Sequence, residues 1–401
     1  MFSLMIDIGS ISPDFAPSNI TGDSDVIYNV LDYGAVSDDK TDNSQAFLKA
    51  WSAACNAETG TPKVVVPENL GFLVYPVIFQ GPCKPQNIEF LISGTIVAPS
   101  SPSIWDQGDV GQWLAFSRIN GLSVHGFGTI NGRGKGWWDQ SCKLHPELAL
   151  KFIGCNDSRL SNILFTNSPQ VHVDITGSYG FSVHKLIIQS PGDAAPNTDG
   201  IHIQASHNLS ITNSTISSGD DCISIGDYTS DIEVAYVECG PGHGISIGSL
   251  GQSGNFAQVE NIIVTNCLLN GTTNGARIKT WQVGKGYVRN VVFKNLEFIG
   301  VKNPIIIDQN YCQVRGACPE LDTGVHISNV TYNTMSGTSS SKIAINLNCS
   351  RSFPCSEISM EAIHLESVTP GNQVTASCTN AYGQEIDVLP GPCLQHMSIM
   401  K

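Results

Sequence analysis

The chain has 401 residues, of which 41% are hydrophobic and only 14% charged, against the roughly 25% charged of an average soluble domain. Asp and Glu outnumber Lys and Arg by 35 to 21, a formal net charge of -14, and there are 39 Gly, 20 Pro and 13 Cys. This apolar content excludes a disordered chain, the scarcity of charge excludes a coiled coil, the negative balance argues against a nucleic-acid binder, and no apolar run approaches the roughly 18 residues of a membrane span.

Residues 1–26 read as an N-terminal extension, a signal or propeptide remnant. Met1-Phe2-Ser3-Leu4-Met5-Ile6 is apolar but short, and no basic residue precedes it. A helix follows. Asp42 is placed to be its N-cap, with Gln45 as capping-box partner. Ala46, Phe47, Ala50, Trp51 and Ala54 then share one face, and Gly60 is the stop.

From about residue 120 short β-rich tripeptides recur: Leu122-Ser123-Val124, Ile163-Leu164-Phe165, Phe181-Ser182-Val183, Leu209-Ser210-Ile211, Ile232-Glu233-Val234, Ile262-Ile263-Val264 and Val291-Val292-Phe293. From Ile163 onward their steps are 18, 28, 23, 30 and 29 residues. Asn162, Asn208, Asn261 and Asn290 stand just before or at the start of four of them. Gly, Asn, Asp and Ser fill the gaps, as turns require. Short strands without intervening helices, repeating every 20 to 30 residues, predict an all-β parallel β-helix whose coils stack about 4.8 Å apart. A sandwich would need longer alternating strands with hairpin turns, and a propeller a repeat nearer 40 to 50 residues. The length prior of two or three domains thus yields to one solenoid over residues 27–401. The amphipathic helix caps its first coil, and the Cys-rich tail after about residue 345 covers the other end.

Cys222 and Cys239, Cys312 and Cys318, Cys349 and Cys355, and Cys378 and Cys393 form local couples, and there is no CxxC pair to favour zinc. Such couples suit disulfides in an oxidising compartment. Sequons at Asn19, Asn156, Asn208, Asn213, Asn270, Asn329 and Asn348 agree with secretion, although Asn and Ser/Thr are abundant enough to produce some by chance.

Four segments carry candidate chemistry: Asn197-Thr198-Asp199-Gly200, Gly219-Asp220-Asp221-Cys222, Gly242-His243-Gly244 and Arg277-Ile278-Lys279. Asp199, Asp221 and His243 are 22 residues apart in turn, close to one coil, so stacking brings them together. Arg277 and Lys279 share a strand face. Asp220 and Asp221 can both reach a cleft only at a turn or bulge, which Gly219 permits. Taken singly each has a plainer reading: Asp199 a turn former, Gly219-Asp220-Asp221 an Asx turn or calcium ligand set, His243 a satisfied surface residue, Arg277 and Lys279 a solvated face. Their common spacing lifts them as a set. Crowded carboxylates beside cations fit hydrolysis of an acidic glycan, because one carboxyl must be protonated and another ionised.

In this order the four segments resemble the NTD, DD, GHG and RIK motifs of the polygalacturonase family, glycoside hydrolase family 28. Gly248-Ser249-Leu250-Gly251, Lys279-Thr280-Trp281-Gln282, Asp308-Gln309-Asn310-Tyr311-Cys312, Val30-Leu31-Asp32-Tyr33-Gly34-Ala35 and Asn131-Gly132-Arg133-Gly134 extend the likeness, toward plant members. The resemblance implies a right-handed parallel β-helix that hydrolyses α-1,4-linked galacturonan of pectin with inversion, without cofactor or metal. It makes Asp220 the general acid, Asp199 and Asp221 the pair that activates water, and His243 the neighbour that sets the protonation of the acid. Arg277 and Lys279 would bind a substrate carboxylate, Tyr311 would line the adjacent subsite, and Asn197 would position the sugar. It pairs Cys222 with Cys239. It further implies a secreted cell-wall enzyme and a monomer, with the polysaccharide and proteinaceous polygalacturonase inhibitors as partners, and with neither nucleic acid nor membrane. Endo action is expected, with exo action as the alternative. A calcium-dependent pectate lyase and a non-catalytic pectin binder are the competing readings. Six cysteine pairs complete the expectations: the four couples above, Cys55–Cys83 and Cys142–Cys155, leaving Cys267 alone.

Overall fold

The computed structural model describes residues 26–101, 112–139, 149–312, 318 and 321–396. Nearly all regular structure in them is parallel β-strand, in one eleven-stranded and one twenty-stranded sheet. Each strand pairs with its equivalent one coil earlier and one coil later, and parallel crossovers of this kind are right-handed. The result is the expected right-handed parallel β-helix. The first described strand is Val26–Asn29. The rest of the extension lies outside the described residues, as do Asn19 and Cys142.

Inward positions stack like on like. Phe79, Phe116 and Phe152 form one interior column with centroids 4.8 and 5.6 Å apart, and Phe181, adjoining the other sheet, meets Phe152 edge-on at 4.8 Å. The column follows the interstrand spacing, so each of its rings meets the ring of the next coil. Burying each ring contributes roughly 1.5–3 kcal/mol.

Corners explain the recurrent asparagines. Asn162, Asn208, Asn261 and Asn290 all adopt left-handed backbone, with φ of 56, 58, 58 and 57°, which Asn tolerates better than most residues. Their amides also ladder: Asn261 Nδ2 donates to Asp231 Oδ1 at 2.8 Å, Asn290 to Asn261 at 3.0 Å and Asn329 to Asn290 at 2.9 Å. One repeat was misaligned in the sequence. The tripeptide at Ile163 lies in a neighbouring ladder, where Leu164 pairs with Ile187. The true predecessor of Val183 is Leu160. Both faces of a coil use the same apolar pattern, and Asn162 turns the corner between them.

The capping helix spans Ser44–Cys55, and its N-cap is Asn43. The expected Asp42–Gln45 box is not formed. The Asp42 carboxylate instead accepts from the Ser44 and Tyr75 N–H groups, at 2.9 and 3.3 Å, tying the helix start to the next coil. Trp51 plugs the open end, its ring 5.6 Å from both Phe79 and Phe116 and its Nε1 donating to the Gln80 carbonyl at 3.1 Å. At the far end the Cys378–Cys393 disulfide and the Glu385 carboxylate, which accepts from the Cys393 and Leu394 N–H groups, fold the tail over the last strand, Ala381–Leu389.

Five expected disulfides are formed: Cys55–Cys83, Cys222–Cys239, Cys312–Cys318, Cys349–Cys355 and Cys378–Cys393. Cys267 is a buried free thiol, as expected. Cys155 corrects the scheme: it too is free and buried, its Sγ donating to the Phe116 carbonyl at 3.4 Å. It faces the interior of a coil, and burial pushes its thiol up to about 11. Alkylation of the unfolded, unreduced protein is therefore expected to label Cys155, Cys267 and Cys142, the thirteenth cysteine, and none of the ten paired cysteines. Alkylation of the native protein should label neither Cys155 nor Cys267. Peptide mapping reads both results, and an unlabelled Cys155 after unfolding would restore the pairing with Cys142.

Candidate active site

Coil stacking assembles the four sequence segments. Ile201, Ile223 and Ile245 pair in register at steps of 22 residues. This register aligns the turns that precede them, which carry Asp199, Asp220-Asp221 and His243. The Gly200 N–H donates to the Asp221 carbonyl at 2.9 Å, and the His243 N–H to the Asp220 carbonyl at 2.7 Å. The tight turn needs Gly219: a Cβ there would sit 1.9 Å from the Ala195 carbonyl oxygen. The Cys222–Cys239 disulfide braces the same turn.

Asp221 is the buried anchor, only 1% exposed. Its Oδ2 is 2.7 Å from Lys279 Nζ, its Oδ1 3.6 Å from an Arg277 guanidinium nitrogen, and Ser246 donates to Oδ1 at 2.7 Å. Asp220 lies closer to solvent. Its Oδ1 is 2.8 Å from His243 Nδ1 and also accepts the Asp221 N–H at 2.9 Å. Asp199 Oδ2 accepts from Ser224 at 2.6 Å, and His202 Nδ1 lies 2.7 Å from the same hydroxyl. The Asp199 carbonyl accepts both the backbone N–H and the Nδ1–H of His172, each at 2.9 Å. Nδ1 must carry that proton, so Nε2 accepts from Ser190 at 2.9 Å. Burial drives His172 down to about 4, so it stays a neutral strut.

Tyr311 stands beside the cations, its ring centroid 5.9 Å from the Arg277 guanidinium carbon and 5.6 Å from Lys279 Nζ, and it packs edge-on against Trp281. A cavity of about 880 Å³ opens here. Asp220, His243, Arg277, Lys279 and Tyr311 are on its wall; Asp199, Asp221 and Asn197 do not line it. Asn197 holds left-handed backbone, φ 56°, two residues before Asp199.

Ser224, Ser246, His202 and His172 were missed in the sequence. A signal was present for three of them. Ile201-His202-Ile203, Ile223-Ser224-Ile225 and Ile245-Ser246-Ile247 are spaced like the catalytic segments, and their central residues form one column with Arg277.

The electrostatics divide the carboxylates. Burial, then the charges of Asp220 and Asp221, hold Asp199 well above the usual range, against the Ser224 hydrogen bond and Lys279. Burial also pulls Asp220 upward, but the His243 hydrogen bond and charge, Lys279 and Arg277 outweigh it, and the net shift is downward. The Asp220 bond outweighs burial at His243 and raises it. Burial, with crowding second, therefore lifts one carboxyl, and it is Asp199, not the residue that the resemblance makes the acid. Asp220, Asp221 and His243 also present ligand atoms within 4.8 Å of one another. Those atoms are engaged with Lys279, Arg277, Ser246 and each other, and a nitrogen donor suits calcium poorly.

A parallel β-helix that stacks three carboxylates and a histidine against two fixed cations defines a solenoid glycoside hydrolase. Residues 55–386 match the model of the glycosyl hydrolases family 28, and the chain belongs to that family. It is 42% identical over 360 residues to "Polygalacturonase QRT2" of Arabidopsis thaliana, covering 88% of this chain and 81% of that one. It is 39% identical over 363 residues to "Polygalacturonase-2" of Solanum lycopersicum, covering 89% and 78%. The solved endo-xylogalacturonan hydrolase of Aspergillus tubingensis shares the fold at a TM-score of 0.78 and 23% identity, over 91% of this chain and 99% of that one. The polygalacturonase of Erwinia carotovora ssp. carotovora does so at 0.72 and 23%, over 93% and 100%.

Linkage gives these shifts a sign. Asp199, raised in the fold, contributes stability at pH below its unfolded value, and this is lost as pH rises through the raised folded value. His243, also raised, follows the same rule, whereas the contribution of Asp220, lowered, is present above the usual carboxylate value and lost as pH falls. Asp199→Asn removes the disfavoured charge. It should raise the thermal midpoint at pH 7 and leave it nearly unchanged at pH 3. Equal shifts at both pH values, read by calorimetry, would contradict the assignment.

Proposed function

We propose that the protein is a polygalacturonase that hydrolyses α-1,4 bonds between galacturonic acid residues of pectin with inversion. The observation that carries this reading is the juxtaposition of Asp220, on the cavity wall, with Arg277 and Lys279, which are fixed by buried Asp221. Relatives of about 40% identity that bear the name polygalacturonase support it.

In this mechanism Asp220 protonates the leaving oxygen, and Asp199 and Asp221 direct water to the opposite face of the sugar. Arg277 and Lys279 hold the uronate carboxylate, Arg with a planar fork, while Tyr311 stacks beside it. Asn197 positions the sugar from the turn before Asp199. Substrate also shifts the protonation of Asp220. A uronate carboxylate on Arg277 and Lys279 offsets two of the charges that hold Asp220 down. Asp220 then rises toward the protonated form that an acid needs, and His243 relays the proton.

Residues 27–401 act here as one catalytic unit, a monomer that works outside the cell. The five disulfides suit an oxidising compartment, and no helix of the described residues is long and apolar enough to cross a membrane. Proteinaceous inhibitors would meet the cavity mouth.

On polygalacturonate the enzyme should release reducing ends, without unsaturated near-ultraviolet absorbance and without sensitivity to EDTA. Unsaturated products would make it a lyase. Asp220→Asn should lower kcat by roughly 10²–10⁴-fold while substrate binding persists; a wild type that binds but never cleaves would make the protein a binder. Endo action predicts that viscosity collapses after few cleavages, whereas exo action would lower it in step with reducing ends. Activity should peak at roughly pH 4–6.

A further inference from the structure

The cavity extends from the carboxylates in one direction along the solenoid. Its floor is the outer face of four successive strands, Asn274–Trp281, Asn303–Tyr311, Ile343–Asn348 and Thr375–Thr379. Lys279, Asp308, Asn348 and Thr379 are paired in register and form one column of that floor. Three interstrand steps make the floor about 14 Å long, far more than one bond cleavage requires.

The strands are parallel, so residues before their starts lie on one rim and residues after their ends lie on the other. Lys302 precedes its strand and Arg351 follows its strand, and both line the cavity. Their side chains are exposed, and among the described residues neither has a carboxylate within ion-pair distance. This separates them from Arg277 and Lys279, whose charge is already shared with Asp221. Asp308 is the opposing charge on the floor, and its Oδ1 is occupied by the Asn310 N–H at 3.0 Å.

Both cations sit on braced backbone. The Lys302 carbonyl accepts from the Ser341 and Ser339 hydroxyls at 2.6 and 3.3 Å, and its N–H donates to the Thr272 carbonyl at 3.0 Å. Arg351 rides in the short loop closed by Cys349–Cys355. Gln309, 2% exposed, clamps that loop: its Oε1 accepts the Ser350 N–H at 2.8 Å, and its Nε2 donates to the Phe353 carbonyl at 3.1 Å. A fixed loop loses little entropy when its cation meets an anion.

We propose that Lys302 and Arg351 form a second carboxylate-binding station, one cation on each rim, which binds ionised uronates of the same polymer one and two coils beyond Lys279. The proposal rests on the polygalacturonase reading. It makes the enzyme favour chains long enough to reach the station and de-esterified where they reach it.

The experiment measures kcat/KM on galacturonate oligomers from trimer to hexamer, for wild type, Lys302→Gln, Arg351→Gln and the double variant. Wild type should gain with chain length. The double variant should lose roughly tenfold of the hexamer-to-trimer ratio. Added salt should shrink the ratio in wild type more than in the double variant. Lys302→Arg should restore the ratio. Direct binding of polygalacturonate to Asp220→Asn, with and without the rim substitutions, supplies a readout independent of turnover. An unchanged length profile and unchanged binding in the double variant would overturn the station while leaving the polygalacturonase reading intact. A wild type that releases no reducing ends would overturn both.

Discussion

Everything in this molecule depends on in-register stacking of parallel strands. One hydrogen-bonded step converts a separation of 22 residues into adjacency of about 4.8 Å. The core uses that step to pile phenylalanine on phenylalanine, and the corners use it to ladder asparagine amides. The active site uses it to place Asp199, Asp221 and His243 in consecutive turns. Long-range contacts are thereby obtained from a local rule repeated many times.

The same stacking concentrates negative charge, and the site survives because Asp221 is neutralised from within. Lys279, Arg277 and Ser246 satisfy its carboxylate in a buried setting. Removing one partner would leave a buried charge uncompensated. Arg277 and Lys279 therefore keep the carboxylate cluster foldable, and in the proposed mechanism the same two cations meet an anionic polymer that the protein's net charge of -14 would repel.

The sequence revealed the solenoid, its capping helix and the gathering of the carboxylates with His243, because each writes a period or an adjacency into the chain. Equal steps from Asp199 to Asp221 to His243 needed no knowledge of side-chain direction. Failures arose where one pattern serves two places. Ile163 carries the tripeptide signal but belongs to the neighbouring ladder. Asp42 and Asn43 are both good caps, and only the fold selects between them. Cys155 has a plausible partner in spacing alone, yet points inward. The order of protonation was hidden as well, since it depends on how far Asp199 and Asp220 are withdrawn from water and on the side of Asp220 that faces His243.

The coil steps around the cavity are unequal. Ile245 pairs with Ala276, Ala276 with Ile305, and Ile305 with Ile345. The last step is far longer than those through Ile201, Ile223 and Ile245, yet the strands still meet in register. Cys312–Cys318 lies within that long step, and Cys349–Cys355 closes a loop in the step that follows. Catalytic geometry and polymer grip are thus encoded in separable parts of the chain. Insertions between strands can remodel what the enzyme holds without shifting the atoms that cut, which leaves the scaffold free to diversify in specificity while its chemistry stands still.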